Sequence, residues 1–134
     1  MKALRISLCL AALMCLSAAA GLLIPMESFS SLAAHYGAGA ETRGAFFEYL
    51  FRLFCAVAAS CGVFYAFLAW DPRRHGPLVP VGGGALVFTG FVALFTGLSG
   101  RMPNMMFLLD FAGCALIGAL VMATWFLSVK KRQS

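Results

Sequence analysis

A chain of 134 residues in which 62% are hydrophobic and 11% are charged cannot cover itself as a small soluble domain, because too few polar side chains remain to face water. Lipid accepts such an exterior, so the composition indicates a bilayer as the solvent. The formal net charge of +5 would suit nucleic acid if it formed one patch, but most of it lies in three clusters separated by apolar runs: Lys2 with Arg5, Arg73 with Arg74, and Lys130 to Arg132.

The first apolar run, Ile6 to Ile24, carries no charge and at ~1.5 Å per residue is long enough to cross a hydrocarbon core of about 30 Å. Pro25 ends it. A secretory signal peptide is the rival reading, with Lys2 and Arg5 as a basic leader and Ser17-Ala18-Ala19-Ala20 as a small-residue cleavage site. The run stays apolar past that point through Gly21-Leu22-Leu23-Ile24, which favours a retained helix.

Between this run and the next, Met26, Phe29, Leu32, Ala33 and Tyr36 recur at helical spacing, and a short helix over about 26–36, lying at the membrane interface, is expected. Gly37-Ala38-Gly39-Ala40 follows as a flexible stretch. A second span covers about 45–70 and is stopped by Asp71-Pro72, because the residue before proline disfavours helix. The short connection to Pro77 turns the chain back antiparallel. A third span runs over about 78–98, its first turns loosened by Pro80 and Gly82-Gly83-Gly84. A fourth, about 105–129, begins after Pro103, where the missing amide costs nothing.

The bias of Lys and Arg toward cytoplasmic loops then assigns both termini and the central connection to one face, with Arg43 and Arg101 on the other. Trp70 and Trp125 fall near the cytoplasmic ends of their spans, where indole favours the interface. The expected fold is therefore all-α: one domain over 1–134, an integral membrane four-helix up-down bundle with N- and C-termini inside, in a bacterial inner membrane.

Three ionisable residues fall inside apolar spans, Glu48 and Arg52 on the second and Asp110 on the fourth. Glu48 and Arg52 are four apart and share a helix face. By helical rise Arg52 lies roughly 9 Å and Asp110 roughly 6 Å below the external boundary, so the two could meet at one level. A charge in hydrocarbon costs on the order of 2.5–3.5 kcal/mol, which favours pairing. The expectation is an Arg52–Asp110 contact with Glu48 at its outer edge, acting either as a clasp between the second and fourth helices or as a polar pocket open to the outer leaflet for a headgroup, a quinone-like carbonyl or a proton.

Other features read as structural. Cys9, Cys15, Cys55, Cys61 and Cys114 form no CxxC pair and no zinc spacing, and read as small packing residues. Met102, Met105 and Met106, with Met26 and His35, could serve as soft copper ligands, but methionine is also an ordinary gap filler, and no metal site is assigned. His75 reads as a solvated loop residue. Small residues four apart, Ala58 and Gly62, Ala93 and Gly97, and Ala115, Ala119 and Ala123, read as seams where helices approach closely, one of them a face for self-association. Gly82-Gly83-Gly84 lacks the GK[ST] of a phosphate loop. No catalytic constellation is present, and a small multidrug exporter is set aside because its first helix would carry a glutamate.

The arginine that opens the second span (Arg52-Leu53-Phe54), the loop Trp70-Asp71-Pro72-Arg73-Arg74, Pro77-Leu78-Val79 and the early aspartate of Leu108-Leu109-Asp110-Phe111 together resemble the small four-helix bacterial membrane proteins grouped as DoxX-like or BphX-like, over about residues 45–125. The resemblance implies an up-down bundle and maps the family's polar positions to Arg52 and Asp110. It implies little about activity, since fold analogy does not carry chemistry. Two functions follow as expectations. One is a non-catalytic accessory or anchoring subunit, or a binder of a lipid-like ligand. The other is the membrane subunit of a quinone-linked oxidoreductase, with quinone as its cofactor and a redox protein as partner, because the chain alone offers no flavin motif and no haem-ligand histidines in its spans.

Overall fold

The computed structural model describes residues 2–35, 45–72, 74–99 and 104–133. The Gly37-Ala38-Gly39-Ala40 stretch, Tyr36, Arg43, Arg73, Arg101, Met102 and Pro103 lie outside these residues, as do the side chains of Met105, Met106, Lys131 and Arg132.

The described chain is helical: α1 Lys2–Ser17, α2 Ala20–Leu23, α3 Met26–His35, α4 Ala45–Trp70, α5 Leu78–Ser99 and α6 Asn104–Gln133. Four segments are long and apolar enough to cross a bilayer, Lys2–Leu23, Phe47–Trp70, Leu78–Ser99 and Phe107–Lys130. Their outward residues are large and apolar, among them Leu13, Phe88, Phe95 and Leu116. In water so continuous an apolar band would drive aggregation, whereas in lipid it needs no cover. The protein is a multi-pass, all-α membrane bundle.

The first span is not one uninterrupted helix. At Ala18 and Ala19 the amides bond three residues back, Ala18 N–H to Cys15 O at 3.2 Å and Ala19 N–H to Leu16 O at 2.9 Å. Ser17 Oγ also donates to Met14 O at 2.6 Å, a back-bond that competes with the helical ladder and bends it. The bend carries α2 toward α4, where a Cβ on Gly21 would lie 2.6 Å from Cys55 Sγ.

Two tightly packed pairs make the bundle, α1 against α4 and α5 against α6, and α1 also packs on α6. Leu4, Leu8, Ala11, Ala12 and Cys15 of α1 are buried, and with Tyr65, Leu68, Val79, Leu86 and Val121 they form the core. The helix that resembled a signal peptide is thus the hub of the fold. Although the 71–77 connection turns α5 back antiparallel, α5 touches α4 only lightly and takes α6 as its main neighbour.

Glycine explains that choice. Gly83, Gly90 and Gly97 recur every seven residues along one face of α5, and all are buried against α6. A Cβ on Gly83 would lie 2.8 Å from Met122, one on Gly90 would lie 3.1 Å from the Phe111 carbonyl, and one on Gly97 would strike the Phe107 ring. On the α6 side a Cβ on Gly118 would lie 2.7 Å from the Gly83 carbonyl oxygen and 2.9 Å from the Val87 amide nitrogen. The backbones meet because no side chain stands between them. Gly82 and Gly83, expected to loosen the start of α5, instead fasten it on both sides.

At one end, α1, α4 and α6 are tied together. Arg5 donates to the Trp70 carbonyl at 3.2 Å, and buried Ser7 shares a hydrogen bond with Thr124 at 2.9 Å. The start of α1, the 71–77 connection and the last turns of α6 therefore lie together, and with them Lys2, Arg5, Arg74 and Lys130. We call this the basic end. Trp70 stands exposed there, while Trp125 packs against the core. His75 is half-buried rather than solvated, with its ring 4.7 Å from that of Phe67.

Candidate functional site

Arg52 and Glu48 are one turn apart near the start of α4, and they pair with each other. Arg52 Nη2 lies 2.8 Å and Nε 3.0 Å from Glu48 Oε1, with both side chains nearly half exposed. Nη1 of the same guanidinium donates to the Leu22 carbonyl at 3.4 Å. That carbonyl belongs to the last turn of α2, where partial negative charge collects and a cation is favoured. Beside it, Phe29 of α3 packs on Phe51 and Phe47 of α4, with centroids 4.3 and 6.1 Å away. The ring cluster and the guanidinium together fix α2 and α3 to the first turns of α4.

Asp110 is not part of this group, and the expected Arg52–Asp110 contact is absent: Arg52 is engaged by Glu48 and Leu22, and α4 does not pack closely on α6. Helix register gives the reason. On α4 the positions facing α1 and α2 include Cys55 and Gly62, which meet Gly21 and Leu16, and Arg52 lies on the flank of that face. On α6 Asp110 lies on a different surface. Counting back from Val121, it follows Ile117 and Cys114 at steps of four, seven and eleven residues, the spacing of one helix face. Val121 is 0% exposed, which places this face toward the bundle interior.

Along that face burial is lost. Val121 is buried, Ile117 and Cys114 are half-buried and Asp110 is exposed. The same steps on α4 start from Tyr65 and reach Cys61, Ala58 and Phe54, and there too burial falls, from 3% exposed at Tyr65 to 66% at Phe54. On α5, Gly82 meets Tyr65 of α4, and Thr89 and Thr96 follow it at seven-residue steps along the helix; Gly82 is buried and both threonines are exposed. Three inward faces thus lose their cover at the same height. Below that height, Tyr65 Oη donates to the Gly82 carbonyl at 2.7 Å and closes α4 onto α5.

The interior is therefore sealed at the basic end and loses cover on these faces over the far half, where α1 still meets α6 at Met14 and Gly113. The opening lies between the α1–α4 pair with α2 and α3 on one side and the α5–α6 pair on the other. Asp110 stands ~16 Å above Val121, taking the helical rise over eleven residues. Its walls are apolar at Phe54, Ala58 and Cys61. Oxygen atoms come from Asp110, Thr89 and Thr96, and thiols from Cys61 and Cys114.

Asp110 has no hydrogen bond or ion pair among the described residues, and its carboxylate is acceptor-only when ionised. Thr89 and Thr96 donate their hydroxyl hydrogens to the Ala85 and Val92 carbonyls of their own helix, at 2.9 and 2.7 Å. That leaves oxygen lone pairs facing outward. All five cysteines are free thiols, and among the described residues no three His, Cys, Asp or Glu side chains gather as metal ligands.

Asp110 was visible from sequence as a charge inside a span, whereas Tyr65, Thr89 and Thr96 were missed. The seven-residue recurrence of Gly82-Thr89-Thr96 beside Gly83-Gly90-Gly97 was the available signal. Comparison of the chain with protein-family models, with curated proteins and with solved structures finds no match.

Proposed function

We propose that this chain is a non-catalytic protein of a bacterial inner membrane, of the DoxX-like or BphX-like kind, that holds one lipid-like molecule in the opening on its far half. The positive-inside bias sets the basic end in the cytoplasm, so the opening faces the outer leaflet. One observation carries the reading: the inward face of α6 is buried at Val121 and exposed at Asp110. A carboxylate directed into an uncovered interior within a membrane span is costly unless something polar meets it. An amphiphile entering sideways between α4 and α5 supplies a headgroup at that level and acyl chains for the apolar walls.

The test is native mass spectrometry of the full chain extracted in mild detergent, followed by analysis of its lipid extract. One lipid-sized adduct per chain that survives detergent exchange is expected. A bare chain would overturn the reading. A quinone at one per chain would replace it with the alternative, the membrane subunit of a quinone-linked oxidoreductase, and a protein partner co-purifying with a lipid-free chain would leave only the anchoring role.

A further inference from the structure

The basic end carries more positive charge than the chain itself balances. Residues 1–8, 70–77 and 124–134 hold Lys2, Arg5, Arg73, Arg74, Lys130, Lys131 and Arg132 against one carboxylate, Asp71, which accepts the Arg74 amide at 3.3 Å. Lys2, Arg5, Arg74 and Lys130 form no ion pair among the described residues. At a bilayer surface such a surplus attracts anionic headgroups, at about 1 kcal/mol for each Lys or Arg.

Height puts these charges at one level, and azimuth divides them. From the Ser7–Thr124 bond, Lys2 lies five residues on and Lys130 six, ~7.5 and ~9 Å by helical rise. Lys130 shares its face of α6 with Phe126 and Leu127, both exposed, and is turned about 120° from Thr124, away from α1. On α1, Arg5 lies two turns before Ala12, whose carbonyl oxygen would be 3.1 Å from a Cβ on Gly62 of α4. Arg5 therefore stands on the α4 face, and its guanidinium donates to the Trp70 carbonyl at 3.2 Å. That bond fixes the guanidinium while using one of its five N–H groups. Lys2 is one helical turn from Arg5, and Trp70 is exposed beside them. Following the same faces into the membrane, at steps of seven and eleven residues, Lys2 leads to Cys9 and Leu13 and Trp70 leads to Val63, all exposed.

We infer that Lys2, Arg5 and Trp70 form a binding site for one anionic phospholipid at the junction of α1 and α4. Arg5 and Lys2 meet its phosphate, the Trp70 indole lies at the headgroup level, and the flank of Cys9, Leu13 and Val63 takes an acyl chain. This site is at the opposite end of the bundle from the opening and does not depend on it.

The experiment offers the full chain equimolar phosphatidylglycerol and phosphatidylcholine in mixed micelles and reads the bound lipid by native mass spectrometry. Phosphatidylglycerol is expected to exceed phosphatidylcholine by about tenfold. Lys2→Gln should lower that excess by about threefold or more and Arg5→Gln by at least as much, whereas Lys130→Gln, with the same loss of charge, should leave it in place. Equal occupancy by the two lipids overturns the site. An excess that Lys2→Gln and Lys130→Gln lower equally also overturns it, because the attraction then belongs to the basic end as a whole. An excess lost in Asp110→Asn and kept in Lys2→Gln would place the lipid in the opening instead. Lys2 is exposed and holds no partner among the described residues, so its substitution decides the matter even where Arg5→Gln fails to fold.

Discussion

Toward the basic end each helix of the bundle is fastened to a neighbour by something specific: Arg5 to the end of α4, Ser7 to Thr124, Tyr65 to Gly82, and the glycine seam between α5 and α6. Toward the far end the fastening between the pairs thins. α2 and α3 remain on α4 through Arg52 and the phenylalanine cluster, Gly97 remains on Phe107, and α1 still meets α6 where a Cβ on Gly113 would lie 3.7 Å from Met14 Sδ. Lipid does not reward apolar contact between helices as water does, so a bundle in a membrane closes only where close backbone approach or a hydrogen bond closes it. The basic half of this interior has more such devices than the far half, and the far half holds Asp110, whose carboxylate has no partner among the described residues.

The largest effect should come from removing the hub. A chain lacking Lys2–Leu23 loses the helix that packs on both α4 and α6, together with Leu4, Leu8, Ala11 and Cys15 of the core. It should not give a monodisperse folded species in detergent, whereas the chain isolated from membranes should retain those residues when its intact mass is measured. A well-behaved truncated bundle would show that α1 is dispensable.

Next in size is the glycine seam. Gly118→Ala forces a methyl group against the Gly83 carbonyl and the Val87 amide, backbone atoms that cannot turn aside, and should cost about 1–3 kcal/mol. Gly84 has nothing within 4 Å of a built Cβ, so Gly84→Ala should be neutral or gain about 0.5–1 kcal/mol from reduced backbone freedom. Thermal unfolding in one detergent compares them, and equal behaviour would mean that the seam is not what joins α5 to α6.

The hydrogen bonds between helices are smaller still. Tyr65→Phe removes the link that ends the opening and should cost about 0.5–1.5 kcal/mol. A double-mutant cycle of Ser7→Ala with Thr124→Val should return a coupling of ~0.6 kcal/mol, the usual size for such bonds in membranes. A coupling of zero would leave α1 held to α6 by packing alone.

Much of this was legible in the sequence. Span positions follow from hydropathy and the stops at Asp71-Pro72 and Pro25, and they agree with the helices to within a few residues, except that α6 runs on to Gln133 and the first span bends at Ala18. Which helices pair was not legible, because hydropathy gives every span the same apolar exterior and the short 71–77 connection falsely favours α4 with α5. The seven-residue glycine recurrence carried that information, but it is read only when face spacing is followed within an already apolar run. At the site, Glu48, Arg52 and Asp110 stood out as charges in hydrocarbon, and depth alone put Arg52 and Asp110 together. Depth fixes height and not azimuth, and azimuth separates them: Arg52 lies beside α2 and Asp110 faces the interior.

That separation makes the smallest expected effect an informative one. Arg52→Ala and Asp110→Ala should be additive within about 0.3–0.5 kcal/mol, since the two groups share no partner. Glu48→Ala with Arg52→Ala, by contrast, should show a favourable coupling of about 0.3–0.5 kcal/mol, as expected for a half-exposed pair one helical turn apart. Asp110→Ala alone should leave the unfolding midpoint nearly unchanged in lipid-free detergent, because its carboxylate holds nothing together, and lower it only when the bound lipid is present. A coupling between Arg52 and Asp110 larger than that between Arg52 and Glu48 would mean that the two pairs of helices close over the opening and that its far half is sealed by the protein itself. If instead only the Glu48 coupling is measurable, the carboxylate of Asp110 remains free for a ligand, and the difference between the two halves of the bundle is a difference in what each was built to hold.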